Sequence, residues 1–271
     1  MATAQPNTID STNKEAEASR RTEMTVPHFI LLGYGVTDSL QLTVESQRVL
    51  ARYGTAYSVG LPANLTAFLK SQRVKLTDLG PRLGPGKEYA EAYLEVAHFL
   101  IERSAHERPV IFLTPGNPLM FNAVGRYVVT EGRRLGLGVQ VVQGVSPLDL
   151  IISGIGLDVS TFGLQVFDAT RLVARGMSIN PAIPAIVMHL GGFGASTATA
   201  TGAAANLGPF VAHVSRWYPG THPATVIHLG TQGMKVASLP LNRLSAASGV
   251  EAGAHLFLDS VRDPLPQEAP A

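Results

Sequence analysis

The chain has no cysteine in 271 residues. That removes disulfide staples, thiolate metal centres and cysteine nucleophiles, and is neutral about compartment. It also lacks charge of one sign: 21 Lys and Arg against 20 Asp and Glu leave a formal charge of +1. Such a balance gives no electrostatic footprint for nucleic acid or for an anionic membrane surface. Long apolar runs are missing too, and no stretch approaches the roughly 20 residues that a membrane span needs. The first 25 residues are polar and charged, without the apolar centre of a secretory signal. No Gly-x-Ser-x-Gly elbow and no phosphate-loop lysine motif occurs, so hydrolase and kinase readings lack support. The 8 histidines do not fall at metal-ligand spacing, which argues against a metal site. A cytoplasmic protein with no membrane segment is the expectation.

What the chain does have is a regular alternation of short apolar runs, glycine turns and amphipathic segments. His28 to Leu32, Pro109 to Leu113 and Val139 to Val142 read as buried strands, each running into a glycine-containing turn. Gln41 to Tyr53, Lys87 to Arg103 and Leu119 to Gly136 carry helical periodicity. Val74 to Gly86 reads as a loop because of its glycines and prolines. Further on, Leu164 to Phe167, Pro184 to Leu190, Ala224 to Leu229 and His255 to Leu258 read as strands, Val236 to Ser238 as an edge strand, and Gly202 to Trp217 as a helix. Strands and helices alternate in both halves, which predicts an α/β chain. The expected organisation is a polar leader at 1–25, an α/β domain at 26–145, a second α/β domain at 146–262 and a Pro-rich tail at 263–271, with a cleft between the two domains. Ligands of open α/β sheets bind outside the carboxyl ends of the strands.

Several turns sit at such ends. Gly33 to Asp38 has the setting of a dinucleotide fingerprint but ends in a carboxylate that would repel a pyrophosphate. In Pro115-Gly116-Asn117-Pro118, Pro115 pre-sets φ, Gly116 supplies a positive φ and Pro118 extends Asn117. This turn is either structural or a main-chain platform for a polar ligand without phosphate. Gly191 to Thr197 is a linker or a ligand loop. His189 and His228 each end a strand, and either can face a cleft or serve as a hydrogen-bonded structural residue. Tyr89 and Tyr93 share a helix face, with Arg82 and Lys87 just upstream; the pair is a buried aromatic stripe or a substrate-facing site.

Taken together these turns resemble the tetrapyrrole-methylase family, the class III methyltransferases that use S-adenosylmethionine. The resemblance runs from about Pro27 to Val261. It rests on Gly33-Tyr34-Gly35, Gly116-Asn117-Pro118-Leu119-Met120-Phe121, Gln143-Gly144-Val145-Ser146, His189-Leu190-Gly191 and Pro223 to Thr231, which occur in the family's order. Val36 and Thr37 stand where the family has Pro-Gly, Asn117 where it has Asp, and Gln143 where it has Pro. The segment Leu157 to Gly163, with Asp168-Ala169-Thr170 after it, resembles the borosin branch, which N-methylates backbone amides of ribosomal peptides.

The resemblance implies two α/β domains around the active-site cleft, a homodimer, and S-adenosylmethionine held by Tyr34, Pro115, Gly116, Asn117, Met120, Phe121, Ser146, His189, Leu190, Gly191, Thr225, Gly230 and Thr231. It implies Tyr93 or Tyr89 as the base on the acceptor side, helped by Lys87 or Arg82. Tyr89 occupies the place of a borosin arginine. Gln267 to Ala271 is not a fused substrate tail, so the acceptor, a peptide or a small molecule, is expected as a separate molecule. Two other readings stay open: a tetrapyrrole or other small-molecule C- or N-methylase, and a non-catalytic scaffold that binds cofactor or peptide.

Overall fold

The computed structural model describes residues 26–36, 41–84, 86–195, 206–230, 233–247, 250–251 and 253–261. The expected leader and tail, the Thr37 and Asp38 positions, the low-complexity run 196–205 and Thr231 lie outside the described residues.

The first sheet has five parallel strands in the order β3-β2-β4-β1-β5, with β1 at Phe29–Gly33, β2 at Thr55–Ser58, β3 at Lys75–Asp78, β4 at Val110–Thr114 and β5 at Val139–Val142. Strands β1 and β4 are buried at every position. A central parallel strand is covered on both faces, so its sequence is continuously apolar rather than alternating. The alternation survives in where the side chains go. Phe29 and Leu31 join a core under α3 (Tyr89–Arg103) and α4 (Ala123–Arg134). Ile30 and Leu32 join the opposite core, under α1 (Val44–Tyr53) and α2 (Ala63–Ser71).

This division creates a switch point. The chain leaves β1 for α1 on one face, and leaves the adjacent β4 for α4 on the other. Neighbouring exits that diverge open a crevice at their carboxyl ends.

The second sheet has the order β6-β7-β10-β8-β9: β6 at Gln165–Asp168, β7 at Ala185–Met188, β8 at Pro223–Gly230, β9 at Gly233–Pro240 and β10 at Ala254–Leu258. Helices α7 (Ala169–Ala174) and α8 (Gly208–Val214) cover one face with Leu172, Phe210 and Val214. The other face receives α5 (Pro147–Ile155). Its Ile151 packs against Ile186, Met188 and Ile227, and Met120 from the first half joins them. The short α6 (Val159–Phe162) begins at Asp158, whose carboxylate accepts the Ser160 and Thr161 N–H groups.

The structure corrects several expectations. Only β6 and β7 run parallel in the second sheet; β10 is antiparallel to β7 and β8, and β9 to β8. The second half is therefore a mixed sheet, within the α/β class expected for it. The segment expected as a loop at Val74 to Gly86 contains β3, an exposed edge strand whose Lys75 and Asp78 disguise it. The edge strand expected at Val236 to Ser238 is eight residues long. The helix expected from Leu119 begins at Ala123, because the turn before it ends with Asn122 accepting the Gly125 N–H as a cap. Among the described residues no helix is long and apolar enough to cross a membrane.

Leu31 is fully buried, whereas Val236 on β9 is 51% exposed. Leu31→Ala is expected to lose about 2–5 kcal/mol of stability and Val236→Ala less than about 0.5, as read by urea denaturation.

Candidate active site

The exits of β1, β4 and β5 meet main chain to main chain. A Cβ on Gly33 would stand 2.5 Å from the Gly144 nitrogen, and a Cβ on Gly144 would stand 2.7 Å from the Gly33 carbonyl carbon and 2.8 Å from the Gly116 oxygen. Only hydrogen atoms fit between these three residues. The corner is locked by hydrogen bonds: the Tyr34 N–H donates to the Thr114 carbonyl at 3.0 Å and the Gly116 N–H to the Gly35 carbonyl at 3.0 Å. Gly116 takes the positive φ of 61° that the Pro115 turn calls for. Asn122 donates a short hydrogen bond to the Thr114 hydroxyl, tying the start of α4 to the end of β4.

Opposite this corner lies the carboxyl rim of the second sheet. His189 follows β7 in the left-handed region, φ 59°, and its ring packs edge-on to Phe121, centroids 5.6 Å apart. Phe121 is itself left-handed, φ 51°. Left-handed backbone costs a side-chain-bearing residue of order 1–3 kcal/mol, and such strain collects at functional sites. His189 Nδ1 lies 3.0 Å from Asp168 Oδ2 on β6. Burial alone would raise the Asp168 pKa; hydrogen bonds from His189 and from the Arg171 N–H outweigh it and hold the carboxyl below its ordinary value. The His189 N–H donates to His255 Nδ1 at 3.2 Å. Burial, with His189 and His228 nearby, pushes His255 down to about 4, so it is neutral.

The expected donor-side residues divide into groups. Gly116, Asn117, Met120, Phe121 and His189 gather at the junction of the two sheets; Asn117 accepts the Leu119 N–H and thereby shapes the turn. Pro115 is exposed beside them. The Tyr34 ring instead lies in the core under α1 and α2, where burial pushes its hydroxyl up to about 12, so only its main chain belongs to the corner. The Ser146 hydroxyl is occupied in a capping box with Asp149 at the start of α5. Leu190 is fully buried in the second core and offers main chain alone; Gly191 continues that turn. Thr225 lies at the level of Ile186, two residues inside the rim, and donates to the Ser238 hydroxyl. Gly230 closes β8 opposite Gly233.

On the acceptor side, Tyr89 and Tyr93 stack with centroids 4.7 Å apart at the start of α3. That end of the helix lies toward the carboxyl edge of the first sheet. Burial, reinforced by Tyr89, raises the Tyr93 hydroxyl above its ordinary value. It is a phenol at neutral pH, hence a hydrogen-bond donor before it is a base. Lys87 pairs with Glu95, and Arg82 covers the Phe99 ring at 3.8 Å. Tyr93 and Glu95 are two residues apart, about 200° around the helix, so these cations form a separate cluster. Sequence reasoning singled out neither Asp168 as the partner of His189 nor His255; the strand-to-helix signature Asp168-Ala169-Thr170-Arg171 was the available clue to the first.

A cavity of about 350 Å³ lies among Thr55, Tyr57, Lys75, Arg103 and Glu107. It opens at the amino ends of β2 and β3, away from this site.

Gly144→Ala forces main chain apart and is expected to cost at least about 2 kcal/mol, measured by thermal unfolding. His255 titrates near 6.5 when unfolded and about 4 when folded, so the unfolded chain binds the extra proton between these values. Its share of stability, of order 3 kcal/mol, is present above pH 6.5 and lost as pH falls toward 4. Denaturation from pH 7 to 4.5 should show the loss, and His255→Asn should flatten it.

Comparison with known proteins agrees with this geometry. The family described as Tetrapyrrole (Corrin/Porphyrin) Methylases matches residues 28–241. A Mycena rosella methyltransferase/type I borosin cyclic peptide precursor is 24% identical over 166 residues, 61% of this chain and 40% of that protein. A type II borosin precursor from Phlebiopsis gigantea is 24% identical over 61% of this chain and 30% of its own length. The chain thus spans less than half the length of these curated relatives. Among solved structures, a Thermus thermophilus uroporphyrin-III-C-methyltransferase aligns with a TM-score of 0.62 at 17% identity, covering 88% of this chain and 94% of that one. A diphthine synthase aligns at 0.61 and 15%, over 86% and 89%. With the family match spanning most of the chain and the fold agreeing, the protein belongs to the tetrapyrrole (corrin/porphyrin) methylase family.

Proposed function

We propose that the protein is an S-adenosylmethionine-dependent methyltransferase that N-methylates a peptide or small natural-product acceptor supplied as a separate molecule. The observation that carries this reading is the main-chain corner at Gly33, Gly116 and Gly144, placed at the β1/β4 switch point and facing the rim of the second sheet. Such a corner places no formal charge beside the ligand, which suits one bearing its own carboxylate, ammonium and sulfonium charges. Family members use S-adenosylmethionine as methyl donor, and the donor set here fits it: Gly116, Asn117, Leu190 and Gly191 would hold it through main chain. When bound, it supplies a methyl group on a positively charged sulfur.

The chain's own task is then positioning. Holding the acceptor nitrogen about 3–3.5 Å from the methyl carbon and in line removes several kcal/mol of the barrier. Tyr93, kept protonated by burial, donates a hydrogen bond to the acceptor and orients it, with Tyr89 stacked on it. The peptide reading draws on the borosin relatives, whose names describe cyclic peptide precursors. A homodimer, the arrangement the family resemblance implies, belongs to the same proposal.

Isothermal calorimetry with S-adenosylmethionine and S-adenosylhomocysteine is expected to show binding of both, and mass spectrometry a 14-Da gain on a nitrogen of the acceptor. Tyr93→Phe should lower turnover by about 100-fold or more while leaving donor affinity unchanged. Absence of donor binding would overturn the proposal; methylation of carbon would replace it with the C-methylase reading.

A further inference from the structure

We infer that His189, backed by Asp168, is the proton acceptor of this site and that the methylated atom is an amine nitrogen; the inference rests on the methyl-transfer reading above. The argument begins with hydrogen positions. Asp168 is anchored where β6 runs into α7, accepting the Arg171 N–H at 3.0 Å. An ionised carboxylate only accepts, so the His189 nitrogen 3.0 Å away carries the proton. That fixes the tautomer of the neutral ring: Nδ1–H points at Asp168, and Nε2 then keeps a lone pair. The ring is not buried; its side chain is 47% exposed. The imidazole is therefore oriented by a carboxylate on one side and free to take a proton on the other, the arrangement that general-base histidines use.

The surroundings hold it there. The His189 N–H is gripped by His255, which is neutral, and Phe121 sets the ring edge-on from the turn that also carries Gly116. The titratable and charged groups around it are Asp168 and Arg171 from β6 and α7, His255 from β10 and His228 from β8, the last aligned with Ala254 beside His255. Two neighbouring side chains in left-handed backbone, Phe121 and His189, sit at this point.

The proton balance selects the acceptor. A neutral amine that gains a methyl group must release one proton to stay neutral. Its N–H bond breaks, the electron pair stays on nitrogen, and the proton bonds to His189 Nε2. The resulting imidazolium is stabilised by Asp168 and later gives its proton to water. Imidazole, ordinarily at about 6.5, is a weaker base than a peptide amino terminus at about 8 and weaker still than an alkylamine at about 10.4, so the transfer is uphill for both and least so for the amino terminus. A peptide amide N–H is far too weak an acid for imidazole to take its proton outright. The shared chemistry is a primary or secondary amine, borne by a peptide amino terminus or by a small alkylamine.

Three measurements test this. NMR of the donor-free protein should show the neutral His189 ring as the Nδ1–H tautomer, a preference weakened in Asp168→Asn. With the donor present, a free-amine hexapeptide or n-butylamine should be methylated and the N-acetylated hexapeptide should not; which of the two amines reacts tells peptide from small molecule. His189→Gln should reduce kcat at least about 100-fold at saturating donor and abolish the acid limb of the pH profile. A purely structural ion pair would leave that limb in place. If wild type binds no donor, the methyl-transfer reading fails and this inference falls with it. If it binds the donor but His189→Gln keeps the limb, or only the acetylated peptide or none of the three acceptors is methylated, this inference alone is overturned.

Discussion

The packing of Gly33, Gly116 and Gly144 against one another is the constraint on which the rest depends. Three chain exits from adjacent parallel strands have to turn within a space that admits no side chain. The strands impose this: β1 lies between β4 and β5, in register along its length, so their carboxyl ends finish level. The exits then part to opposite faces, and the surface they leave behind is main chain. A Cβ at Gly33 or Gly144 would run into the main chain of the neighbouring exits, and one at Gly116 into Pro147 at the start of α5. The same packing sets the turn after β4, and through that turn delivers Met120 and Phe121 to the second sheet.

The central strands were legible in the sequence because double-sided burial leaves no polar positions to confuse the pattern. The turn at Pro115 to Pro118 was legible because its φ requirements are written in residue types. The rest was hidden for physical reasons. Strand β3 is an edge, and its Lys75 and Asp78 look like loop residues. The antiparallel character of the second sheet depends on which strands become neighbours, a non-local outcome. Asp168 and His189 are 21 residues apart and become partners only because β6 and β7 pair with Asp168 opposite Met188. The donor-side residues drawn from the resemblance lie in different surroundings. Gly116, Met120, Phe121 and His189 meet, whereas the Tyr34 and Leu190 side chains are core and Ser146 caps a helix.

The two sides of the site use different physics. On the first sheet, recognition falls to peptide groups whose positions are fixed by packing and do not titrate. On the second, Asp168, His189, His228 and His255 form a polar rim in which burial and neighbouring groups shift Asp168 and His255. Family membership accounts for the first side, because a main-chain corner tolerates wide sequence change; solved structures with as little as 15% identity share the fold. The second side is where this chain's own residues distinguish it.

Helix α5 starts five residues after β5 ends, yet it lies on the second sheet rather than on the one it has just left. The two halves are thus laced together by Ile151 going one way and by Met120 reaching across separately. Parting them far enough to admit a bulky guest would unwrap an oily seam as well as the entrance itself. Breathing of the crevice is consequently tied to solvent reaching that seam, which gives a fluorescent dye for greasy surfaces a view of every opening event.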